Sequence, residues 1–337
     1  MAVSMERLSK LNAVSGFEDE AREYLIPIIS KKADSVSVDS MGNIIAYKKG
    51  KKEAKHKIML DAHTDEVGFI ITSITESGFL KFSTVGGIDT ASLINRYVVI
   101  GENVRGVISS KPVHLISADE RKKLPGVDSL YIDIGALSKE EAEKTVRLGD
   151  CGVICGEFCE NADCFIAKAI DDRAGCAVLI DLIRNYDEYS FYASFSVQEE
   201  VGLRGAKVST YAINPDFAIV LESTTAADIA DAPPEKTVCS LGKGPAISFM
   251  DKATVYDRAL YNKALNSGIK CQAKSMVAGG NNAGSVHTSR EGVRTLAISL
   301  PTRYLHTSST VANKDDLTNM RKLAEYMLNS IASGEIK

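Results

Sequence analysis

The sequence predicts an α/β protein with a mixed sheet and a β-rich, barrel-like domain inserted into it. Near both ends of the chain, short apolar runs with strand character alternate with helical patterns, which is typical of α/β folds. From about residue 68 to residue 163, short β-patterned runs separated by Gly, Pro and charged turns replace that alternation. We therefore expect a main domain over residues 1–67 and 164–337, and an inserted domain over residues 68–163 that serves as a lid or in assembly.

The first part of the main domain contains one predicted helix and three predicted strands. The helix covers residues 19–30, because Ser15-Gly16 breaks the chain before it and apolar residues then recur at helical spacing. Two short strands, residues 35–38 and 44–47, flank a Gly-containing turn. A third, residues 57–60, is a short apolar run that leads directly into an acidic segment, as expected of a central strand that ends at a site.

The remaining elements follow the same two patterns. The predicted elements of the inserted domain are strands at 97–100, 106–108 and 130–134 and a helix at 139–147. In the second part of the main domain, helices are predicted at 172–186, 254–266 and 315–331, and strands at 192–197, 217–221, 246–249 and 295–300.

Composition excludes several classes of function. The chain has 337 residues, of which 45% are hydrophobic and 25% charged, which suits a globular protein of two domains. No apolar run is long enough to span a membrane, and residues 1–12 are too charged for the core of a signal peptide. The net charge is -4, with basic residues scattered along the chain. We therefore expect a cytoplasmic protein that binds neither nucleic acid nor membranes.

Seven Cys in a chain without an export signal do not indicate a disulfide framework. Cys151, Cys155, Cys159 and Cys164 lie close together in the sequence but lack the paired C-x-x-C spacing of a zinc site. Reduced structural thiols are the expected state of this group.

Several His and acidic residues lie where predicted strands end. His63 follows the third strand and His306 follows the strand at 295–300. Either imidazole alone has an ordinary structural explanation, and Asp172 has one as the cap of the helix that follows it. The carboxylates that accompany the two His are Asp171, Glu199, Glu200 and Glu222.

Open α/β sheets place ligands at the carboxyl ends of their strands, so these side chains are expected to converge in one crevice. Two imidazoles with three or four carboxylates form a nitrogen and oxygen ligand set that suits Zn²⁺, Co²⁺ or Mn²⁺, and it is large enough for two ions. Asp65, two residues after His63, is expected to orient that imidazole by accepting its second N–H.

Five segments in order resemble the tetrahedral aminopeptidase family, whose members carry names such as glutamyl aminopeptidase or cellulase. The resemblance extends through nearly the whole chain and implies a zinc-peptidase-like main domain and dimers that assemble into a dodecamer. The segments are AHTDEVG at 62–68, KAIDDRAG at 168–175, QEEVG at 198–202, LGKGP at 241–245 and PTRYLH at 301–306.

The resemblance also implies roles for individual residues. Asp171 would bridge two divalent ions, and Glu199 would be the general base that removes a proton from an activated water during cleavage of short peptides at their N-terminus. His63 and Glu222 would complete one metal site, and Glu200 and His306 the other.

Two positions depart from the family pattern. Glu222 stands where the family usually has Asp, which leaves Asp228 as an alternative ligand. In the segment GGNNA at 279–283, many members have an acid after the glycines, and this loop is expected to contribute to the substrate pocket.

Three other functions remain open from the residues. A carboxypeptidase or deacylase would use the same ions and base. A glycosidase would need two carboxyls placed across a sugar bond and no His. A binding or assembly protein would need no general base, so the adjacent Glu199 and Glu200 argue against it.

Overall fold

The computed structural model describes residues 4–119 and 122–336. Residues 1–3 and 337 of the predicted main domain and residues 120–121 of the predicted inserted domain lie outside the described residues. The chain forms an eleven-stranded mixed sheet with helices on both faces and a closed barrel of six strands. The predicted α/β fold with a mixed sheet and a β-barrel is confirmed.

The helices are α1 (Met5–Ser9), α2 (Asp19–Ile29), α3 (Lys139–Ala142), α4 (Ile170–Asn185), α5 (Arg204–Ile213), α6 (Arg258–Leu265), α7 (Ala283–Val286) and α8 (Lys314–Ala332). The sheet contains β1 (Ser35–Val38), β2 (Ile44–Lys48), β3 (Ile58–His63), β10 (Cys159–Glu160), β11 (Cys164–Ala167), β12 (Phe191–Ser196), β13 (Phe217–Thr225), β14 (Ala246–Ile247), β15 (Gln272–Ala273), β16 (Arg294–Arg303) and β17 (Thr310–Asn313). The barrel contains β4 (Gly68–Ile74), β5 (Leu80–Val85), β6 (Tyr97–Ile100), β7 (Val104–Ser109), β8 (Tyr131–Asp133) and β9 (Cys151–Ile154).

Four neighbouring strands in the middle of the sheet run parallel. Their order is β12, β3, β13 and β16, and each neighbouring pair is parallel. The carboxyl ends of these strands therefore meet at one edge of the sheet, although the strands are far apart in the sequence. This edge is where the polar side chains predicted for the site emerge.

Apolar side chains alternate between the two faces of the sheet. Along β3, Leu60 and Ala62 pack on one face against a large core formed with α4 and α8, whereas Met59 packs on the other face with α5 and α7. The barrel has a core of its own, which includes Phe69 and Ile132. The central strands are therefore buried on both faces, as parallel strands usually are.

Three central strands are longer than predicted, because polar residues continue the hydrogen-bonding ladder. β16 covers Arg294–Arg303 instead of residues 295–300. β3 extends to His63 instead of ending at residue 60. β13 extends to Thr225, so Glu222 lies within the strand and the prediction that it follows the strand end is wrong. Residues 222–225 remain paired with residues 299–302 of β16, and tertiary pairing outweighs the unfavourable strand propensity of a buried Glu.

Two helices are shorter than predicted. α3 ends at Ala142 instead of residue 147, and α6 begins at Arg258 instead of residue 254. Asp251 accepts hydrogen bonds from the backbone N–H groups of Ala253 and Thr254, which holds the chain in a turn before α6. Asp and Asn side chains compete for backbone donors in this way, and helical periodicity alone does not reveal it. No helix among residues 4–119 and 122–336 combines the length and the apolar composition that crossing a bilayer requires.

The N-cap of α6 offers a test of this local structure. Asp257 accepts hydrogen bonds from the N–H groups of Ala259 and Leu260, and it forms an ion pair with Arg294 at 2.7 Å. Asp257→Ala should lower the free energy of unfolding by about 1–2 kcal/mol, as is typical when an N-cap is removed. Asp257→Asn keeps the acceptor oxygen and should cost less. Urea unfolding of both variants measures the difference, and an equal loss in the two would contradict the capping role.

Candidate metal centre

The parallel strands bring the predicted site residues together at their carboxyl ends. His63 is the last residue of β3, and Glu222 lies near the end of β13. Glu199 and Glu200 follow β12, and His306 follows β16. Asp171 comes from the start of α4 and completes the group.

The Asp171 carboxylate lies between the two imidazoles. Its Oδ1 is 3.3 Å from Nε2 of His63, and its Oδ2 is 3.3 Å from Nε2 of His306. Each imidazole also has a second carboxylate beside it: Glu222 Oε1 is 3.4 Å from His63 Nε2, and Glu200 Oε1 is 3.1 Å from His306 Nε2. Two sets of one His and two carboxylates therefore share Asp171.

The potential ligand atoms fall into three overlapping groups, each of which lies within 4.8 Å. Two of them are the sets that share Asp171. The third joins His63, Glu199 and Glu200, so Glu199 lies close to the same positions as the other carboxylates. The described part of the chain has no such group that includes a Cys.

Both imidazoles are oriented by backbone carbonyl groups. Nδ1 of His306 donates to the carbonyl oxygen of Gly87 at 2.7 Å. Nδ1 of His63 donates to the carbonyl oxygen of Asp65 at 3.1 Å, while the Asp65 carboxylate is farther away, at 3.4 Å. Each Nε2 therefore faces the carboxylates. The shorter hydrogen bond from His63 Nδ1 is accepted by the Asp65 carbonyl oxygen and not by the Asp65 carboxylate, which differs from the expected arrangement.

The Asp65 carboxylate mainly contacts the turn that carries the two adjacent glutamates. It accepts hydrogen bonds from the backbone N–H of Glu199 at 3.0 Å and of Glu200 at 3.1 Å. Ser15 donates a third hydrogen bond to it at 2.6 Å. Asp65 is fully buried, so these donors compensate the loss of hydration of its charge.

The backbone at the site is unusual at several non-glycine residues. Ala169, Gln198 and His306 all have positive φ, at 51°, 55° and 58° respectively. Such conformations cost free energy and persist where surrounding contacts enforce them. In α4, Asp171 and Asp172 are not helical, and Asp172 caps the regular helix by accepting the N–H of Gly175 at 2.9 Å. Asp171 is therefore left free to face the site.

Carboxylates outnumber cationic groups in this buried space, and the pKa values reflect the imbalance. Burial disfavours the charged imidazolium of His63, but Glu222, Asp171 and Asp65 outweigh it and hold the His63 pKa well above its ordinary value. Burial is likewise outweighed at His306, whose pKa is raised to about 11 by Asp171 and Glu200.

The carboxylates respond to the same imbalance. Burial, followed by the charge of Asp171, raises the pKa of Glu222 to about 8. Burial also raises the pKa of Glu199 well above its ordinary range, and Glu222, Glu200 and Asp171 add to this effect. The site thus favours additional positive charge, whether protons or cations supply it.

Three other predictions for this region can be compared with the structure. Asp228 forms a two-point ion pair with Arg303, both contacts being 2.8 Å, and it belongs to none of the potential ligand groups. The potential ligand group of His63 and Asp171 therefore includes Glu222 and not Asp228. Asn281 and Asn282 are buried, and Asn282 donates to Asp61 at 2.8 Å. The contribution of that loop to a substrate pocket stays a prediction. All seven Cys are free thiols, in agreement with the sequence prediction.

A buried ion pair beside the site was not predicted, although its residues lie in the conspicuous segments 62–68 and 168–175. Lys168 contacts both carboxylate oxygens of Glu66, at 2.7 and 2.9 Å, and Arg173 lies 3.6 Å from Glu66. Lys168 and Glu66 line a small cavity together with Asp171, Glu200 and His306. Gly87, which comes from the loop after β5, was also not predicted, because a carbonyl contact across the fold leaves no sequence signal.

The Lys168 pair should be important for stability. Lys168→Met leaves the Glu66 carboxylate buried without its main partner, and this should cost about 3–5 kcal/mol of unfolding free energy. Lys52→Met is the matched control, because Lys52 pairs with Glu188 at 2.8 Å on the surface and should leave stability nearly unchanged. Urea unfolding measures both, and a similar effect in the two variants would show that burial of the Lys168 pair has no special importance.

Comparisons with known proteins show the family and the fold. The model of the family described as M42 glutamyl aminopeptidase matches residues 42–323. A relative from Acetivibrio thermocellus, assigned as an aminopeptidase, is 38% identical over 95% of this chain and 96% of its own length. The lysyl aminopeptidase of Pyrococcus furiosus is 32% identical over 97% of this chain and 96% of its own length.

Solved structures have the same fold. An aminopeptidase from Desulfurococcus kamchatkensis has a TM-score of 0.90 at 33% identity and covers 98% of this chain and 97% of its own. The TET1 peptidase of Pyrococcus horikoshii, described as able to assemble into a tetrahedron or a large octahedral shell, has a TM-score of 0.85 at 34% identity over 96% and 97%. An endoglucanase from Thermotoga maritima has a TM-score of 0.81 at 31% identity, with 98% of each chain covered.

Proposed function

Because the chain belongs to the M42 glutamyl aminopeptidase family, we propose that it is a two-metal aminopeptidase that removes N-terminal residues from short peptides. The observation that carries the proposal is the position of Asp171, whose two carboxylate oxygens each contact a different imidazole. A second carboxylate beside each imidazole gives two ligand sets that share one residue. This arrangement supports two ions held by a bridging carboxylate.

The side chains present suit divalent ions. His63, Asp171 and Glu222 would hold one ion, and Asp171, Glu200 and His306 the other. Oε2 of Glu222 is buried without a hydrogen-bond partner among the described residues, so it has a free lone pair at the site. Zn²⁺ and Co²⁺ suit these nitrogen and oxygen ligands, and Mn²⁺ is a further candidate. When bound, such ions lower the pKa of a water molecule and polarise the carbonyl of the scissile bond.

Glu199 is assigned as the general base, which takes a proton from the attacking water and delivers it to the leaving amine. Glu200 contacts His306, whereas Glu199 makes no comparable ion pair with either imidazole among the described residues. The neighbouring N–H groups of both glutamates are held by Asp65, which keeps the pair in a defined orientation. Glu199 also lies in a potential ligand group with His63, so the two roles need an experiment that separates them.

The domain roles are part of the same proposal. Residues 1–67 and 164–337 would form the zinc-peptidase-like catalytic domain, and residues 68–163 an inserted domain for assembly or closure. The Gly87 contact to His306 supports a role for the inserted part at the site. Assembly of copies through dimers to a dodecamer is supported by similar solved structures, described as a dodecamer and as able to form a tetrahedron or a large octahedral shell.

Other hydrolases are distinguished by their substrates. A carboxypeptidase or deacylase on the same ligand set would cleave peptides with blocked N-termini, whereas an aminopeptidase requires the free amine. The similarity to an endoglucanase brings a glycosidase into consideration. A glycosidase would not need two imidazoles that contact the same carboxylate. The paired ligand sets therefore favour peptide hydrolysis.

Metal dependence is the first test. Exhaustive chelation should abolish cleavage of aminoacyl-p-nitroanilides, and Co²⁺ or Zn²⁺ should restore it, because the ligands are His and carboxylates only. N-acetylated versions of the same substrates should remain uncleaved. Full activity in a sample verified as metal-free would exclude the two-metal site, and cleavage of the blocked substrates would instead favour a deacylase.

The adjacent glutamates provide the sharper test. Glu199→Gln keeps the shape of the side chain but removes the proton acceptor, so kcat should fall by about 10²- to 10⁴-fold with little change in KM and with both ions retained. Glu200→Gln should weaken one metal site and regain part of its activity at high metal concentration. Metal analysis together with steady-state kinetics shows which of the two glutamates is the general base and which is the metal ligand. Loss of an ion from Glu199→Gln, with both retained in Glu200→Gln, would exchange the two roles.

A further inference from the structure

We propose that residues 8–18, called here the N-terminal segment, hold Glu199 and Glu200 in their orientation. Within the segment, Ser15 and Glu18 are the positioning residues. This inference rests on the roles proposed above for those two glutamates. The segment contributes no potential metal ligand among the described residues. Its contacts nevertheless reach three of the loops that surround the site.

The first part of the segment contacts the loop that carries Asp171. The carbonyl oxygen of Leu11 accepts a hydrogen bond from Lys168 at 2.9 Å, and that of Leu8 accepts one from Arg173 at 2.9 Å. Lys168 and Arg173 stand on either side of Asp171 in the sequence, and both side chains are buried. The segment therefore supports this loop from both sides.

The middle of the segment pairs with the residues that follow His63. The backbone N–H of Glu66 donates to the carbonyl oxygen of Ala13 at 2.8 Å, and the N–H of Ala13 donates to the Glu66 carboxylate at 3.2 Å. Val14 forms an isolated parallel β-bridge with Glu66. The chain at Glu66 is thus fixed against the segment, whereas Thr64, directly after β3, still donates to Ser196 of β12.

Ser15 and Glu18 contact the turn that carries the adjacent glutamates. Ser15 Oγ donates to Asp65 Oδ2 at 2.6 Å, and the same oxygen accepts the N–H of Glu200 at 3.1 Å. Glu18 Oε1 accepts the N–H of Gln198 at 3.1 Å and that of Gly16 at 2.7 Å. Every backbone N–H from Gln198 to Glu200 is therefore bound by a carboxylate that is itself held by the segment or belongs to it.

This dependence has a physical reason. Gln198 has a positive φ of 55°, which an unconstrained Gln rarely adopts, so the turn needs outside contacts to keep its geometry. Asp65, Ser15 and Glu18 are all buried, and hydrogen bonds to buried carboxylates are stronger than those between neutral groups. Loss of one donor should loosen the turn without unfolding the sheet beneath it.

Ser15→Ala tests the proposal, with Ser9→Ala as its matched control. Ser9 is also buried near the N-terminus, but it donates only to the carbonyl oxygen of Glu6, at 3.2 Å. In metal-free protein, amide hydrogen exchange at Glu199 and Glu200 should become about tenfold faster in Ser15→Ala and remain unchanged in Ser9→Ala. In metal-loaded protein, kcat of Ser15→Ala should fall about tenfold with unchanged KM and metal content.

Glu18 provides a second test if Ser15→Ala does not fold. Glu18→Gln keeps the acceptor oxygen for the Gln198 N–H and should retain most of kcat. Glu18→Ala removes this acceptor, so kcat should fall and amide hydrogen exchange at Gln198 should become faster. The proposal is overturned if amide hydrogen exchange or kcat is the same in Ser15→Ala as in Ser9→Ala. It is also overturned if the two Glu18 variants have the same kcat and the same exchange rate at Gln198. The exchange measurement needs no catalysis, so it tests the positioning role separately from the proposed function. Full activity of Glu199→Gln would contradict the proposed function instead.

Discussion

The sharing of one carboxylate between two imidazoles is the constraint on which this structure depends. Asp171 lies within 3.3 Å of both His63 and His306, and two further carboxylates approach the same imidazoles. Bringing so many acidic groups together in a buried space is unfavourable unless positive charge compensates them. The carboxylates hold the pKa of both imidazoles above its ordinary value against the effect of burial, and burial together with the charge of Asp171 raises the pKa of Glu222.

Hydrogen bonds from distant parts of the chain hold this arrangement. His306 is oriented by the Gly87 carbonyl from the loop after β5, and the turn with Glu199 and Glu200 is held by Asp65. Asp65 in turn receives a hydrogen bond from Ser15, near the start of the chain. Residues from the barrel region, the central sheet and the N-terminal segment therefore meet at one site, and the site requires all three to be folded.

Buried charge around the site also separates roles that look alike in the sequence. Glu66 is neutralised by Lys168 and lies close to Arg173, so this acid is occupied by a structural ion pair. Asp172 caps α4, and Asp228 is paired with Arg303. The acids that remain beside the imidazoles are those without such partners, which is why they suit a cation-binding and catalytic role.

Much of the fold and most of the site residues were predictable from the sequence, because they depend on local patterns. Apolar periodicity located most of the long helices and the central strands of the main domain but missed α5, β11 and β17. Polar residues after apolar runs pointed to the candidate site residues His63, Asp171, Glu199, Glu200, Glu222 and His306. Among the boundaries that failed, those at β3, β13 and β16 depend on pairing with distant strands, and that at α6 depends on the side chain of Asp251. Asp228 was a reasonable alternative in the sequence, and only its ion pair with Arg303 removed it.

The sequence by itself determined the chemical types of the potential ligands, their order along the chain and the alternation that leads to parallel strands. Only the tertiary structure decided which acids face the imidazoles, that Asp171 lies between them, and that Ser15, Glu18 and Gly87 support the site. The reason is that a hydrogen bond between residues 50 or more positions apart depends on how the whole chain folds, whereas periodicity reports only on neighbours.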